Sequence, residues 1–311
     1  MNIMTRIDLS IIIVSYNSKE LTKKCLKTVF EMIKDVVFEV FVVDNASSDG
    51  SQEMVKKEFP FAKLIESNKN LGFAKANNLA LPLAKGRYIF FLNPDTMILD
   101  QNIVELVKFM DIHHEAGAVG PLILNANKTM QRQCKRGFPT FPNLFFYYTG
   151  LWKMFPRSQN WKMIAGGYFL TDRSDELVCE VDQLSGAAML VRRSIVGQIG
   201  GMNEEYVMYW DDTDYCFRIK EVGKKIYYVP VAKIVHLGGA GGSQLHAFKN
   251  LWYFHRGAVV FYRRYLLKRE SVLNSCLFYA GNWTIFVFKC IFNAFAKEKI
   301  IGSQKPTPLK Q

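Results

Sequence analysis

The chain has 311 residues, 49% hydrophobic and 22% charged, enough apolar material for a sizeable core, which excludes intrinsic disorder as its governing state. Its formal net charge of +12 is concentrated at one end: from Lys249 onward, eleven Lys and Arg face two acids, Glu270 and Glu298, a local net of +9. A basic tail on a near-neutral body predicts attraction to a polyanionic surface, and with no recognised base-reading motif beside the charge, an anionic membrane is favoured over nucleic acid.

The six cysteines, Cys25, Cys134, Cys179, Cys216, Cys276 and Cys290, are widely spaced and include no C-x-x-C pair. They read as reduced structural thiols, not as a disulfide frame or zinc site. The apolar run after Asp8 is too short for a secretory signal, so the cytoplasmic side is expected.

In chain order, Leu9–Ser15 (LSIIIVS) is a continuous β-branched run, the pattern of a parallel strand buried on both faces. Asn17 or Ser18 can cap a following helix whose stripe is Leu21, Cys25, Val29 and Ile33. Phe38–Val43 predicts a second strand, closed by the turn formers of Asp44–Gly50. A short helix to about Phe59, a strand at Ala62–Glu66, a helix at Phe73–Leu83 and a strand at Arg87–Leu92 follow. This alternation predicts an α/β fold with a mostly parallel sheet, whose ligand lies beyond the carboxyl ends of the strands. The polar clusters fall at those ends.

Asn125 to Glu180 is aromatic, punctuated by Pro and Gly, and without clear periodicity: either a loop-rich, acceptor-side insertion or an ordinary variable excursion. Order returns at Val181–Arg192, then a strand near Lys225–Val229 and a short one ending at His236. Gly238–Gly242 lacks the order of a phosphate loop and reads as a hinge.

Three features bear on chemistry. Asp95, in LNPD after a strand, is either a strand-ending turn residue or a carboxylate that holds a divalent cation against a diphosphate. In WDDTD (Trp210–Asp214) one acid is explained by the helix N-terminus, but adjacent Asp211 and Asp212 suit a general base better than capping. His236 ends a strand on the same edge, where a histidine is either structural or a metal ligand.

IIIVSYN (Ile11–Asn17), VVDNASSDGS (Val42–Ser51), NLGFAKANN (Asn70–Asn78), FLNPD (Phe91–Asp95), LSGAAMLVRR (Leu184–Arg193), GGMNEEYVMYWDDTDYCFR (Gly200–Arg218) and VHLGG (Val235–Gly239) occur in an order and spacing that resemble family 2 glycosyltransferases. Within that family the chain is most similar to bacterial rhamnosyltransferase-type enzymes and, at its catalytic motif, to galactofuranosyltransferases. The resemblance implies a GT-A fold and an inverting single displacement, with Asp212 as base and Asp211 as its alternative. It implies that Tyr16, Asn17 and Asp44 line a nucleoside pocket and that Asn70, Gly72 and Asn78 pass near the ribose and diphosphate. Asp95 stands last in the family's D-x-D metal motif, with Asn93 where many members have the first aspartate, and His236 matches a second ligand for Mn²⁺ or Mg²⁺. The donor is expected to be a dTDP- or UDP-linked sugar, rhamnose first and galactofuranose close behind, and the acceptor a glycan or polyprenyl-linked glycan.

On this reading residues 1–248 form the catalytic domain, with 125–180 its variable acceptor-side segment, and 249–311 a basic, aromatic tail of amphipathic and hydrophobic helices. The stretch Val272–Phe295 is about long enough to cross a bilayer, but its Asn and Lys residues favour a monotopic anchor at the cytoplasmic face. Alternatives are a helical pair packed on the catalytic domain and, for function, a non-catalytic nucleotide-sugar-binding scaffold.

Overall fold

The computed structural model describes residues 6–154, 158–238 and 247–296. The expected hinge lies outside these from Gly239 on, as does the end of the tail, residues 297–311.

The first half folds as its pattern predicts. Strand β1 (Leu9–Ser15) is buried at every position because β2 (Phe38–Asp44) and β4 (Tyr88–Leu92) pair with it on either side, both parallel. β3 (Ala62–Glu66) extends the sheet beyond β2. Helices α1 (Lys19–Met32), α2 (Ser51–Glu58) and α3 (Phe73–Ala80) make the returns. α1 buries Thr22, Cys25, Leu26 and Val29. Ser18 holds the cap position, but its hydroxyl bonds Ser15 and Thr22 and caps nothing.

The second half adds β5 (Thr96–Ile98), α4 (Ile103–Ile112), β6 (Ala116–Leu124), α5 (Phe141–Thr149), α6 (Gln159–Ala165), β7 (Cys179–Val181), β8 (Ala188–Arg192), α7 (Arg193–Ile199), α8 (Asp211–Glu221) and β9 (Lys225–His236). The sheet has nine strands in the order β3-β2-β1-β4-β8-β6-β9-β5, with β7 also paired to β9. β1 to β4, β6 and β9 run one way and β5, β7 and β8 the other, so the sheet is mostly parallel, as expected. The two strands expected before His236 are one. Pro230 falls where the β6–β9 register slips between Gly120 and Leu122, an irregularity that accommodates its missing donor. The excursion expected to be loop-rich contains α5 and α6.

The tail does not stand apart. α9 (Ala247–Phe261), a turn of π-helix (Tyr262–Leu266) and α10 (Val272–Ala296) follow β9. Phe261 meets Trp210 and Phe217, Tyr265 stacks at 4.4 Å from Phe217, and the Tyr265 hydroxyl donates to buried Asp214 at 2.7 Å. The first tail helix is therefore packed on the body, as in the helical-pair alternative. A Cβ on Gly257 would lie 2.6 Å from Trp210 Cδ1. Gly257→Val is accordingly expected to cost about 1–3 kcal/mol by overpacking and to lower the thermal midpoint by a few degrees or more. An unchanged midpoint would mean that α9 does not seat on Trp210 in solution.

Candidate active site

The carboxyl ends of β1, β2, β4 and β9 form one edge, and the strand register places the polar clusters along it. Ser15 pairs with Asp44, Ile13 with Leu92, and Thr96 with His236.

At the β1–β2 end, Asn17 adopts a left-handed backbone (φ 46°) and braces the turn after β2. Its amide donates to Ser47 Oγ at 2.9 Å, and its Oδ1 accepts from the Ser48 amide at 2.8 Å. Buried Asp44 accepts through Oδ1 from the Ser47 amide and Gln52 Nε2, while its Oδ2 is buried without a partner. A buried carboxylate oxygen is costly to leave unmet, so this one is poised for a donor from a bound molecule. Tyr16 lies beside it, exposed.

Asn70, Gly72 and Asn78 are engaged by the protein itself. Asn70 Oδ1 accepts from Asn45 Nδ2 and the Gly72 amide, and Asn45 also accepts from the Leu71 amide. Gly72 (φ 82°) runs close to Val207, where a Cβ would sit 3.1 Å from the Val207 carbonyl. Asn78 clasps Met202 through both its amide groups at 2.8 Å. These residues tie the 202–207 turn to the loop after β3 and to α3. Asn45, which sequence reasoning did not single out, is the hub of that loop, bonded to Asn70, Leu71 and Gly72.

Next to it is the Asp95 corner. His236 Nε2 lies 3.2 Å from Asp95 Oδ1 and 3.3 Å from Asn93 Nδ2. Burial works against the Asp95 charge, but His236 and the Asp95 and Gly238 backbone amides outweigh it and hold the carboxyl below its usual range. Asn93 Oδ1 is buried without a partner. Gln131 fixes the imidazole. Its Nε2 donates to the His236 carbonyl at 2.7 Å, which can only accept, so its Oε1 faces His236 Nδ1 at 3.0 Å and must receive a proton from it. When the ring is protonated, Nε2 donates toward Asp95; when it is neutral, the proton stays on Nδ1 for Gln131 and Nε2 turns its lone pair toward Asp95 and Asn93. One carboxylate, one imidazole nitrogen and an unmet amide oxygen fit a cation such as Mn²⁺ or Mg²⁺, which takes few protein ligands and completes its shell from phosphate and water. Among the described residues no group of three or more His, Cys, Asp or Glu offers a fuller cage.

Beyond the turn before β8 is the acidic pair. The Asn93 amide donates to the Ala187 carbonyl at 2.9 Å, and the neighbouring Gly186 amide donates to Asp212 Oδ2 at 3.2 Å, so one turn before β8 joins the two corners. Arg136 Nη2 donates to the same Asp212 oxygen at 2.8 Å, and the Thr213 amide to its Oδ1 at 2.7 Å. Burial opposes the Arg136 charge, and Asp212 followed by the Tyr168 hydroxyl outweighs that opposition and keeps the guanidinium charged. Asp211 has the opposite setting: burial first, then the Asp212 charge, pushes its carboxyl up to about 7. The third acid, Asp214, is fully buried and structural, held by Arg218 and Tyr265. Tyr209 and Trp210 both have positive φ, so a strained turn launches α8 and aims the pair. Gln131 and Arg136 come from the excursion after β6, which therefore contributes to the site.

Because folded Asp211 binds its proton more tightly than the unfolded chain, stability falls as pH rises from the ordinary 3.8 toward about 7. Asp211→Asn removes that loss. Its stability relative to the native protein is expected to climb between about pH 4 and pH 7, by on the order of a few kcal/mol, and to level off above that range. Thermal melts across that range give the test, and a constant difference would mean that Asp211 titrates normally.

The family model described as "Glycosyl transferase family 2" matches residues 10–196. The chain is 28% identical over 210 residues to the N-acetylglucosaminyl-diphospho-decaprenol L-rhamnosyltransferase of Mycobacterium tuberculosis, covering 63% of this chain and 66%, just under two thirds, of that protein. It is 26% identical over 234 residues to rhamnosyltransferase WbbL of Escherichia coli K12, covering 73% of this chain and 82% of that one. In fold it is similar to the mannosyltransferase PcManGT of Pyrobaculum calidifontis, solved with GDP-Man and Mn²⁺. The TM-score there is 0.55 at 18% identity, over 95% of this chain and 89% of the other.

Proposed function

The chain belongs to glycosyl transferase family 2, with the GT-A fold, and on that premise we propose an inverting transfer of a sugar, rhamnose first, from a nucleoside-diphosphate donor to a hydroxyl of a glycan or polyprenyl-linked acceptor in cell-surface polysaccharide synthesis. The observation that carries this reading is that one turn, Gly186–Ala187, is tied on one side to Asn93 beside the Asp95–His236 pair and on the other to the Arg136–Asp212 pair. A diphosphate held at the first corner presents its sugar toward the second.

Asp44 and Tyr16 receive the nucleoside, with Asp44 Oδ2 accepting from the base. Asp95 and His236, with Asn93 beside them, would hold the cation, which when bound neutralises charge developing on the leaving diphosphate. Asp212, oriented by Arg136 and the Gly186 amide, takes the proton from the acceptor hydroxyl as that oxygen attacks the anomeric carbon from the opposite face. Protonated Asp211 keeps a second negative charge from crowding the base below about pH 7. The donors named for similar proteins support a nucleotide-sugar site, and the lipid-linked acceptor named for the mycobacterial protein supports an acceptor at a membrane. The basic tail is proposed to hold the enzyme at the cytoplasmic face, although among the described residues no helix is long and apolar enough to cross a membrane.

The scaffold alternative rests on Asn93 in the first motif position, but a buried acidic pair beside the donor corner serves no purpose in a passive binder. Incubation with dTDP-rhamnose, UDP-galactofuranose or GDP-mannose and a polyprenyl-diphosphate-linked sugar tests the proposal. Product with inverted anomeric configuration is expected from one donor. Retained configuration, or tight donor binding without transfer, would overturn it.

A further inference from the structure

The polarity of α10 is inverted for a helix in water. Its inward face, against α9 and the π-turn, buries hydrogen-bonding residues: Asn282 Oδ1 lies 2.8 Å from His255 Nδ1, Asn282 Nδ2 donates to the His255 carbonyl, and Ser275 Oγ lies 3.1 Å from the Tyr262 hydroxyl. Lys289, the only charged residue of α10, sits on the same side, over the Phe254 ring. The outward face is apolar. Leu273 (68% exposed), Leu277 (47%), Val287 (52%), Phe288 (68%) and Ile291 (51%) recur at helical spacing, broken only by small or neutral residues. Trp252 of α9 lies against Trp283 at the middle of α10, 5.5 Å between centroids and tilted by 36°.

A helix that hides its hydrogen-bonding groups between neighbours and turns its hydrocarbon outward is built for an apolar surrounding. A partly exposed tryptophan pair beside the apolar stripe suits the boundary between hydrocarbon and headgroups. The electrostatics select the kind of surface. Arg263 and Lys268 are exposed at the turn before α10, and the sequence after it carries Lys297, Lys299, Lys305 and Lys310 against Glu298 alone. Like charge of that density repels a second copy of the chain and attracts anionic lipid.

We propose that the outward face of α10 is the membrane-docking surface: the helix lies along the headgroup boundary of an anionic bilayer, burying Leu273, Leu277, Val287, Phe288 and Ile291 in the acyl region while α9 stays seated on Trp210. This deepens the membrane placement proposed above by naming the surface and its orientation. α9 touches both α10 and Trp210, the residue that launches the acidic pair, so docking fixes the height of the active site above the membrane.

Flotation of the full chain with vesicles tests it, using phosphatidylcholine alone and phosphatidylcholine with phosphatidylglycerol. The native chain is expected to float with the anionic vesicles, less so at high salt. Leu277→Glu with Phe288→Glu alters only exposed positions and is expected to lower that partition by about tenfold or more, the factor for withholding one apolar side chain. Stabilisation by nucleotide, read in the same preparations, stays unchanged, so loss of docking is distinguishable from failure of the donor site. The proposal is overturned if the double variant floats as well as the native chain. It is equally overturned if the native chain ignores vesicles and instead forms a dimer that Phe288→Glu breaks.

Discussion

Asp212→Asn is expected to lower kcat by about 10²–10⁴-fold while leaving nucleotide binding intact. Asp212 is the acid whose oxygens are fixed by the Arg136 guanidinium, the Gly186 and Thr213 amides and the Thr213 hydroxyl, and whose side chain retains 19% exposure. A base must be oriented and reachable before its proton affinity matters, and Asp211, 7% exposed, is the less reachable of the two. The substitution also leaves Arg136 without its counter-charge, a change that costs about 3–5 kcal/mol in buried pairs. Activity is therefore to be read per folded molecule, with nucleotide-induced stabilisation as the control for folding. If Asp212→Asn turns over normally and Asp211→Asn does not, the roles of the two acids are exchanged.

The second large effect is expected at Asp95. Asp95→Asn removes the only carboxylate of its corner and should abolish the Mn²⁺-dependent part of donor binding, with a fall of at least about 100-fold in kcat/KM. The nucleoside end proposed at Asp44 and Tyr16 is untouched, so metal-free nucleotide binding should persist. Gln131→Leu is the graded companion. It frees the His236 ring to rotate or change tautomer and should weaken Mn²⁺ binding by about 10–100-fold without removing a ligand. Titration of Mn²⁺ against the nucleotide-bound protein reads both variants without turnover. Native Mn²⁺ affinity in Asp95→Asn would place the cation elsewhere.

The parts of this protein that were legible in the sequence are those governed by local pattern. The bounds of β1 and β3 follow from their apolar runs, and the edge bearing Asp44, Asp95 and His236 follows from strand polarity. What escaped is long-range. Nothing near Gln131 signals that its amide will hold a histidine 105 residues away, because they meet only where β6 and β9 pair. Arg136 lies in a segment without periodicity and reaches Asp212 through a bridge between its own backbone and Gln183. Asn70 and Asn78 show the converse limit. An Asn in a motif can serve a ligand or the backbone, and only the fold reveals that Asn78 is occupied by Met202. Two strands are expected where β9 is one, because the register slip that tolerates Pro230 belongs to the partner strand as much as to its own.

Thermal stabilisation of the purified chain by UDP, dTDP, GDP and CMP, each with and without Mn²⁺, tests the donor site most directly, since a ligand that binds only the folded state raises stability with its occupancy. The site described here predicts selective stabilisation by UDP or dTDP, larger with Mn²⁺, and loss of the Mn²⁺ increment alone in Asp95→Asn. A well-folded protein that responds to none of the four nucleotides would contradict it.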